Sequence, residues 1–187
     1  MHFDVIVVGA GIPGLFAARE LSKKGLKTIV IDQSEISGEP NYSSALTPAF
    51  TVTDFDLPKD GIASEITKLS FGTMDKETVW QSAYPTSYVL DFRLMKKLLS
   101  LEVAKNGGVV EWGCRFEDVI KDGNKVMGVK TSQGEFLADY IIDATGSKAL
   151  VLNKMGVKRP SNVRPSVGVE FVVRDKTGCL NYYANKI

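Results

Sequence analysis

Three observations on this 187-residue chain predict an α/β fold: a parallel sheet with a β-meander, carrying part of a second, antiparallel-sheet domain. The first thirty-two residues read as strand, glycine-rich turn, helix, strand and acidic residue. Residues 109–143 read as a strand, a run of short strands joined by tight turns, and a final apolar strand. Between these two blocks, residues 66–90 carry the short β-branched runs of a separate small sheet.

The opening block is the most specific. Phe3 to Val8 is an apolar strand that runs into Gly9-Ala10-Gly11-Ile12-Pro13-Gly14. Gly9 lets the chain turn off the strand, Gly11 clears a path for a pyrophosphate to reach backbone N–H groups, and Gly14 allows close helix packing. The unpaired N–H groups at the helix start, with the helix dipole, form an anion site. Pro13 falls in the first turn, where a missing N–H costs little. Ala18 is small enough for close packing, Gly25 ends the helix, and Lys27 to Ile31 reads as the second strand. Asp32 at the end of that strand can accept hydrogen bonds from ribose hydroxyls and would repel a 2′-phosphate, which disfavours NADP. The arrangement is Rossmann-like and names a dinucleotide as the ligand class.

Residues 34–59 are rich in Ser, Pro, Gly, Asn and Asp and read as a long connection without regular structure, of the kind that often covers a ligand. Ile66–Phe71, Thr78–Gln81 and Ser87–Leu90 follow as strands of a small antiparallel sheet inserted between the second and third strands of the nucleotide domain. Leu94, Met95, Leu98, Leu99, Leu101 and Val103 recur at helical spacing from Phe92 to Asn106, and Asn106-Gly107-Gly108 stops the helix. Val109–Trp112 is a strand. The meander comprises Arg115–Ile120, a turn at Asp122-Gly123-Asn124, Val126–Thr131, a turn at Gln133-Gly134, and Phe136-Leu137. Tyr140–Asp143 is expected as a buried strand ending in Ala144-Thr145-Gly146.

Composition narrows the class. A formal net charge of +1 argues against nucleic-acid binding driven by charge. Cys114 and Cys179 have no paired spacing, so neither a disulfide framework nor a metal site is expected. No apolar run reaches membrane-spanning length and Met1 leads directly into the first strand, which together predict a cytoplasmic protein. The single histidine, His2, sits at the amino terminus, and no side chain stands out as acid, base or nucleophile.

The order of fingerprint, acidic residue, insertion, helix, strand, meander and Asp143-Ala144-Thr145-Gly146 resembles FAD-dependent oxidoreductases of the glutathione-reductase type over essentially the whole chain. Tyr88-Val89-Leu90-Asp91, Ile141 to Ser147 and Ser166 to Val173 are most similar to the branch containing geranylgeranyl reductases and electron-transfer-flavoprotein dehydrogenases. The resemblance implies a three-layer ββα FAD-binding domain at residues 1–40 and 92–158, with partial substrate-domain elements at 41–91 and 159–187. It implies pyrophosphate at Gly9 to Gly14 (Gly9, Ala10, Gly11, Ile12, Pro13 and Gly14) and adenosine ribose at Asp32, with Gln33 adjoining. Adenine is implied near the backbone of Arg115 and Phe116, and Ala144, Thr145 and Gly146 close to the cofactor. The isoalloxazine is implied to reach toward the 34–59 connection, where Ser43, Ser44 and Ala45 lie.

Three departures from that branch bear on function. Phe92 follows Asp91 where the branch has arginine, so Arg93, the candidate cofactor-binding residue here, is displaced by one position, about 100° around a helix. Asn41-Tyr42-Ser43-Ser44 stands where the branch often carries Cys-Gly, which leaves no thiol to act at a flavin. The branch normally continues for about two hundred further residues, a domain's worth, including a Gly-Asp motif. Residues 167–173 thus read as a strand lacking neighbours, and three alternatives stay open: a longer protein, a split gene, or a second copy covering the exposed sheet. The leading expectation is an FAD-dependent dehydrogenase or reductase acting on isoprenoid or lipid double bonds, with peripheral membrane contact compatible with such substrates. Its electron donor is unidentified. An FAD-binding module completed by another chain, and an NAD-dependent dehydrogenase, are the alternatives.

Overall fold

The structure, a computed structural model, describes residues 1–39, 46–73, 75–123, 125–157 and 179–183. In chain order the elements are β1 (His2–Val8), α1 (Ile12–Lys23), β2 (Thr28–Ile31), β3 (Leu46–Pro48), α2 (Ala49–Asp54), β4 (Ile62–Ile66), β5 (Lys68–Gly72), β6 (Glu77–Gln81) and β7 (Ser87–Leu90). Then come α3 (Phe92–Lys105), β8 (Val109–Glu111), β9 (Phe116–Asp122), β10 (Lys125–Thr131), β11 (Gly134–Asp143), α4 (Leu150–Lys154) and β12 (Cys179–Tyr183). They fall into two compact units, Met1–Asn41 with Lys96–Ser166, and Tyr42–Met95 with Val167–Ile187.

The first unit is a six-stranded sheet in the order β8-β2-β1-β11-β10-β9. The four strands from β8 to β11 are parallel, and β10 and β9 continue the sheet antiparallel. All four residues of β2 and the last four of β1 are buried, as expected for strands covered on both faces. Burying side chains such as Ile6, Leu15, Ile29 and Ile31, none more than 1% exposed, stabilises the unit by roughly 1.5–3 kcal/mol each.

Helix α1 buries Gly14, Leu15, Ala18, Arg19 and Ser22, a stripe at helical spacing. The helix ends where Gly25 adopts φ +79° and its N–H reaches the Ser22 carbonyl at 2.9 Å, a conformation glycine adopts without steric cost. Arg19 is an unexpected member of this face, being 1% exposed. Its guanidinium bonds Glu20 at 2.8 Å and Glu102 of α3 at 2.9 Å, and lies 4.8 Å from the centre of the Phe16 ring. The ion pair fastens α1 to α3. At the start of α3, Asp91 Oδ1 accepts the Leu94 N–H at 3.0 Å, a side-chain N-cap.

The second unit holds two three-stranded sheets, β12-β5-β6 and β3-β7-β4. Several expectations are corrected here. The 34–59 connection contains β3 and α2, because Leu46, Thr47 and Pro48 pair with Val89, Tyr88 and Ser87 far along the chain. Ile66–Phe71 is two strands in different sheets: the chain changes partners at Thr67, whose carbonyl accepts the Ser82 N–H at 2.8 Å. One pairing, β12 with β5, is parallel. In the first unit, Phe136-Leu137 and Tyr140–Asp143 form one ten-residue strand, β11, and Tyr140 is exposed rather than buried. Residues 167–173 lie outside the described residues.

Removing the buried guanidinium leaves Glu102 without its partner and opens space beside Phe16. Arg19→Ala is therefore expected to lower the unfolding free energy by about 2 kcal/mol, and Glu102→Gln by less than about 1 kcal/mol because Glu102 is partly exposed. Urea titration followed by circular dichroism measures both.

Candidate cofactor-binding site

The carboxyl ends of β1, β2 and β11 meet the start of α1, and the meeting leaves no room for side chains. Gly9 has φ +111°, and a Cβ on it would fall on the Ala144 carbonyl, 2.8 Å from the carbonyl carbon and 3.2 Å from the Thr145 nitrogen. A Cβ on Gly14 would run into the Gly9 carbonyl and stand 3.1 Å from the Ala144 methyl. Backbone bonds lock the junction: Gly9 N–H to the Ile31 carbonyl at 2.8 Å, and Ala144 N–H to the Val8 carbonyl at 2.9 Å.

Gly11 is different. Its backbone, φ −70° and ψ 172°, suits any residue, and a Cβ there would meet only Pro13 Cδ at 3.7 Å. Among the described residues, nothing demands glycine at this position. What a Cβ would fill is the space in front of the helix start. The first intrahelical bond runs from Leu15 N–H to the Gly11 carbonyl at 2.9 Å, and the N-cap residue, Gly11, supplies no side-chain cap among the described residues. The N–H groups of Ile12 and Gly14 thus precede the hydrogen-bonded ladder and Pro13 has none, leaving an anion cradle.

Asp32 closes one side. Its Oδ2 accepts the Ala10 N–H at 2.7 Å and Oδ1 accepts the Ser34 N–H at 2.8 Å. The carboxylate is therefore held against the glycine turn, with remaining lone pairs available to ribose hydroxyls. The Asp32 carbonyl accepts the Cys114 N–H at 2.8 Å and the Ser34 carbonyl accepts the Gly113 N–H at 2.8 Å. These bonds bring the 113–115 backbone alongside Asp32.

The strand end at β11 has its own polar lock. Asp143 Oδ1 accepts the Thr145 hydroxyl at 2.6 Å and the Thr145 N–H at 3.0 Å, Oδ2 accepts the Leu152 N–H at 3.0 Å, and the Thr145 hydroxyl oxygen accepts the Leu150 N–H at 2.7 Å. Together the two side chains cap α4 and hold the turn at Gly146, which has φ +67°. Burial raises the Asp143 pKa, and the hydrogen bonds from Thr145, Leu152 and Val151 outweigh it, leaving the carboxyl below its ordinary value.

The structure brings Gly9, Ala10, Gly11, Ile12, Gly14, Asp32, Ala144 and Thr145 to one edge of the sheet, with Pro13 exposed in the first helical turn and Gly146 exposed beyond Thr145. Gln33 is exposed just past Asp32. The Arg115 N–H is engaged by Ser132 Oγ at 3.0 Å, its guanidinium by Glu117 at 3.1 Å, and the Phe116 side chain is part of the core. Arg93 is exposed on the first turn of α3 and belongs to the second unit. Ser43, Ser44 and Ala45 lie outside the described residues. Among the described residues, no cluster of acidic, His or Cys side chains could hold a metal ion, and no helix is long and apolar enough to cross a membrane.

A glycine turn, an uncapped helix start and an acidic strand end converging at one edge of a parallel sheet define a dinucleotide-binding α/β protein. Residues 4–159 match the FAD dependent oxidoreductase family, and the chain belongs to that family. FAD is its cofactor, which resolves the choice between FAD and NAD that Asp32 alone leaves open. The chain is 25% identical over 174 residues to the digeranylgeranylglycerophospholipid reductase of Haloferax volcanii, covering 91% of this chain and 42% of the relative. It is 31% identical over 171 residues to the protein FixC of Azotobacter vinelandii, covering 84% of this chain and 40% of the relative. A geranylgeranyl bacteriochlorophyll reductase-like protein from Thermoplasma acidophilum superposes with a TM-score of 0.77 at 27% identity, covering 84% of this chain and 42% of that one. The chain spans less than half the length of each of these three.

Because the folded Asp143 carboxyl titrates below its unfolded value, it contributes stability above about pH 4 and loses it as the pH falls through the folded pKa. Asp143→Ala is expected to cost about 1–2 kcal/mol at pH 7, with the difference from wild type narrowing below pH 4. Urea titrations at pH 7 and pH 3 test both the size and the direction.

Proposed function

We propose that this chain is the FAD-holding part of an oxidoreductase that transfers hydride to or from double bonds of isoprenoid lipids, in the manner of geranylgeranyl reductases. The observation that carries the cofactor half of this reading is Gly11: a glycine that the protein's own packing does not require, set before an uncapped helix start. The substrate half is supported by similarity to enzymes named as digeranylgeranylglycerophospholipid reductases in three organisms.

FAD, when bound, supplies the hydride acceptor or donor. The protein's part is to bind and orient. The N–H groups of Ile12 and Gly14 face the pyrophosphate position, and Asp32 receives the ribose hydroxyls while fixing the glycine turn through Ala10. Gly146 presents bare backbone at the end of β11, held by Asp143 and Thr145. None of the described side chains is assigned as an acid, base or nucleophile.

A second reading has one observation in its favour. The chain's relatives are more than twice the length that it covers, so an FAD module completed by further chain is the alternative to an enzyme working alone. Turnover separates the two, whereas cofactor binding is common to both.

Two measurements test the cofactor assignment. The purified chain is expected to be yellow, or to become so on reconstitution, and to release FAD on denaturation. Gly11→Ala is expected to keep or slightly raise the thermal midpoint, since the backbone there accepts alanine, while FAD affinity falls at least about tenfold, 1.4 kcal/mol. A wild-type chain that takes up no FAD, or a Gly11→Ala chain that binds it as well as wild type, would overturn the reading.

A further inference from the structure

Strand β6, Glu77–Gln81, is an edge of the β12-β5-β6 sheet, and all five of its residues are exposed. An open edge offers unpaired N–H and C=O groups to another strand, and proteins blunt such edges with short length, charge, proline or bulges. The edges β8, β9, β3 and β4 each carry one of these devices. β8 and β3 are three residues long, and β3 ends in Pro48. β9 pairs irregularly with β10, and its Asp118 and Lys121 side chains reach Lys154 of α4. β4 has a register shift between Ile62 and Ser64 and carries Glu65. β6 differs: it pairs with β5 without a shift and contains neither proline nor lysine. Its one charged residue, Glu77, has its carboxylate engaged by the Ser70 hydroxyl.

The register of the β5–β6 hairpin fixes which backbone groups face outward. Thr73 N–H donates to the Lys76 carbonyl and Ser82 N–H to the Thr67 carbonyl, both at 2.8 Å. Antiparallel pairs alternate between bonded and non-bonded, so counting inward from these two ends makes Thr78 and Trp80 the residues of β6 that bond β5. The N–H and C=O groups of Glu77, Val79 and Gln81 therefore point away from β5, along the open edge.

The sequence of β6 complements itself across that edge. A second β6 laid antiparallel, with a two-fold axis at Val79, sets Val79 against Val79, Glu77 against Gln81 and Thr78 against Trp80. The outward groups of Glu77, Val79 and Gln81 all then find partners. No like charges stand opposite each other, a carboxylate meets an amide, and the two Trp80 side chains become diagonal neighbours on one face, within reach of each other. Val79 and Trp80, 50% and 49% exposed in the single chain, are the apolar residues this pairing covers.

We infer that β6 is a homodimerisation edge: two copies of the chain join β6 to β6 about an axis at Val79, making one continuous sheet from two three-stranded ones. The inference is independent of the nucleotide site.

Sedimentation equilibrium of the full chain tests it. A contact of this length is reversible, so the weight-average mass of the wild type is expected to climb from 20.4 kDa toward twice that value as concentration rises. Val79→Lys sets two ammonium groups directly opposite each other at the axis, and Val79→Glu two carboxylates. Each alone is expected to stay at 20.4 kDa where the wild type is dimeric, and an equal mixture of the two to recover the dimer. Val79→Pro removes an N–H that β5 does not use, a change an edge strand tolerates. It should abolish the dimer with an unchanged circular dichroism spectrum, and it decides the matter if the charged variants do not fold. A wild type that stays monomeric overturns the inference and leaves the edge to a strand of another polypeptide. A dimer that survives Val79→Lys or Val79→Pro overturns it in favour of a different surface, and a mixture of the charged variants that stays monomeric overturns the pairing about Val79.

Discussion

Three backbone segments, the end of β1, the start of α1 and the end of β11, approach so closely that Gly9 and Gly14 have no space for a methyl group. Everything at the carboxyl edge of the first sheet depends on that approach. It sets the distance between α1 and the sheet, which determines that Leu15 and Ala18 are fully buried. It also sets the helix start at the sheet edge, where the N–H groups of Ile12 and Gly14 precede the first intrahelical bond. Close-packed interiors transmit such constraints because no slack exists to absorb them.

Charge is organised around the same junction. A half-buried carboxylate needs hydrogen-bond donors, and Asp32 finds two in Ala10 N–H and Ser34 N–H. It thereby orders the turn. Asp143 plays a parallel part at the end of β11, where Thr145, Leu152 and Leu150 are tied into one network with α4. In both places an acidic residue at the end of a parallel strand hydrogen-bonds the backbone that follows it.

Much of this was legible in the sequence because its signals are local. The strand from Phe3, the glycine turn, the helix ended by Gly25 and the strand before Asp32 each carry their own pattern over a few residues, and the structure reproduces them. Asp91 before α3 and the Gly107-Gly108 stop behave likewise. What escaped depends on distant partners. β3 is three residues long and exists because β7 pairs with it. The apolar run across Thr67 continues without a break in pattern, yet the chain changes sheets there, a choice made by tertiary pairing alone. Arg19 reads as the polar side of a helix until Glu102, eighty-three residues away, is placed beside it.

The glycines of the fingerprint carry the sharpest lesson, because their shared motif conceals two causes. Gly9 and Gly14 are demanded by the protein: remove the ligand from the argument and a side chain at either position still collides with backbone. Among the described residues nothing demands glycine at position 11, since its backbone angles are ordinary and a Cβ there would make only an ordinary contact with Pro13. Packing among the described residues explains the first two and leaves the third unexplained. Sequence motifs merge structural and functional constraints into one string, and coordinates separate them by asking what each absent atom would have touched. At this site the answer differs within a span of six residues.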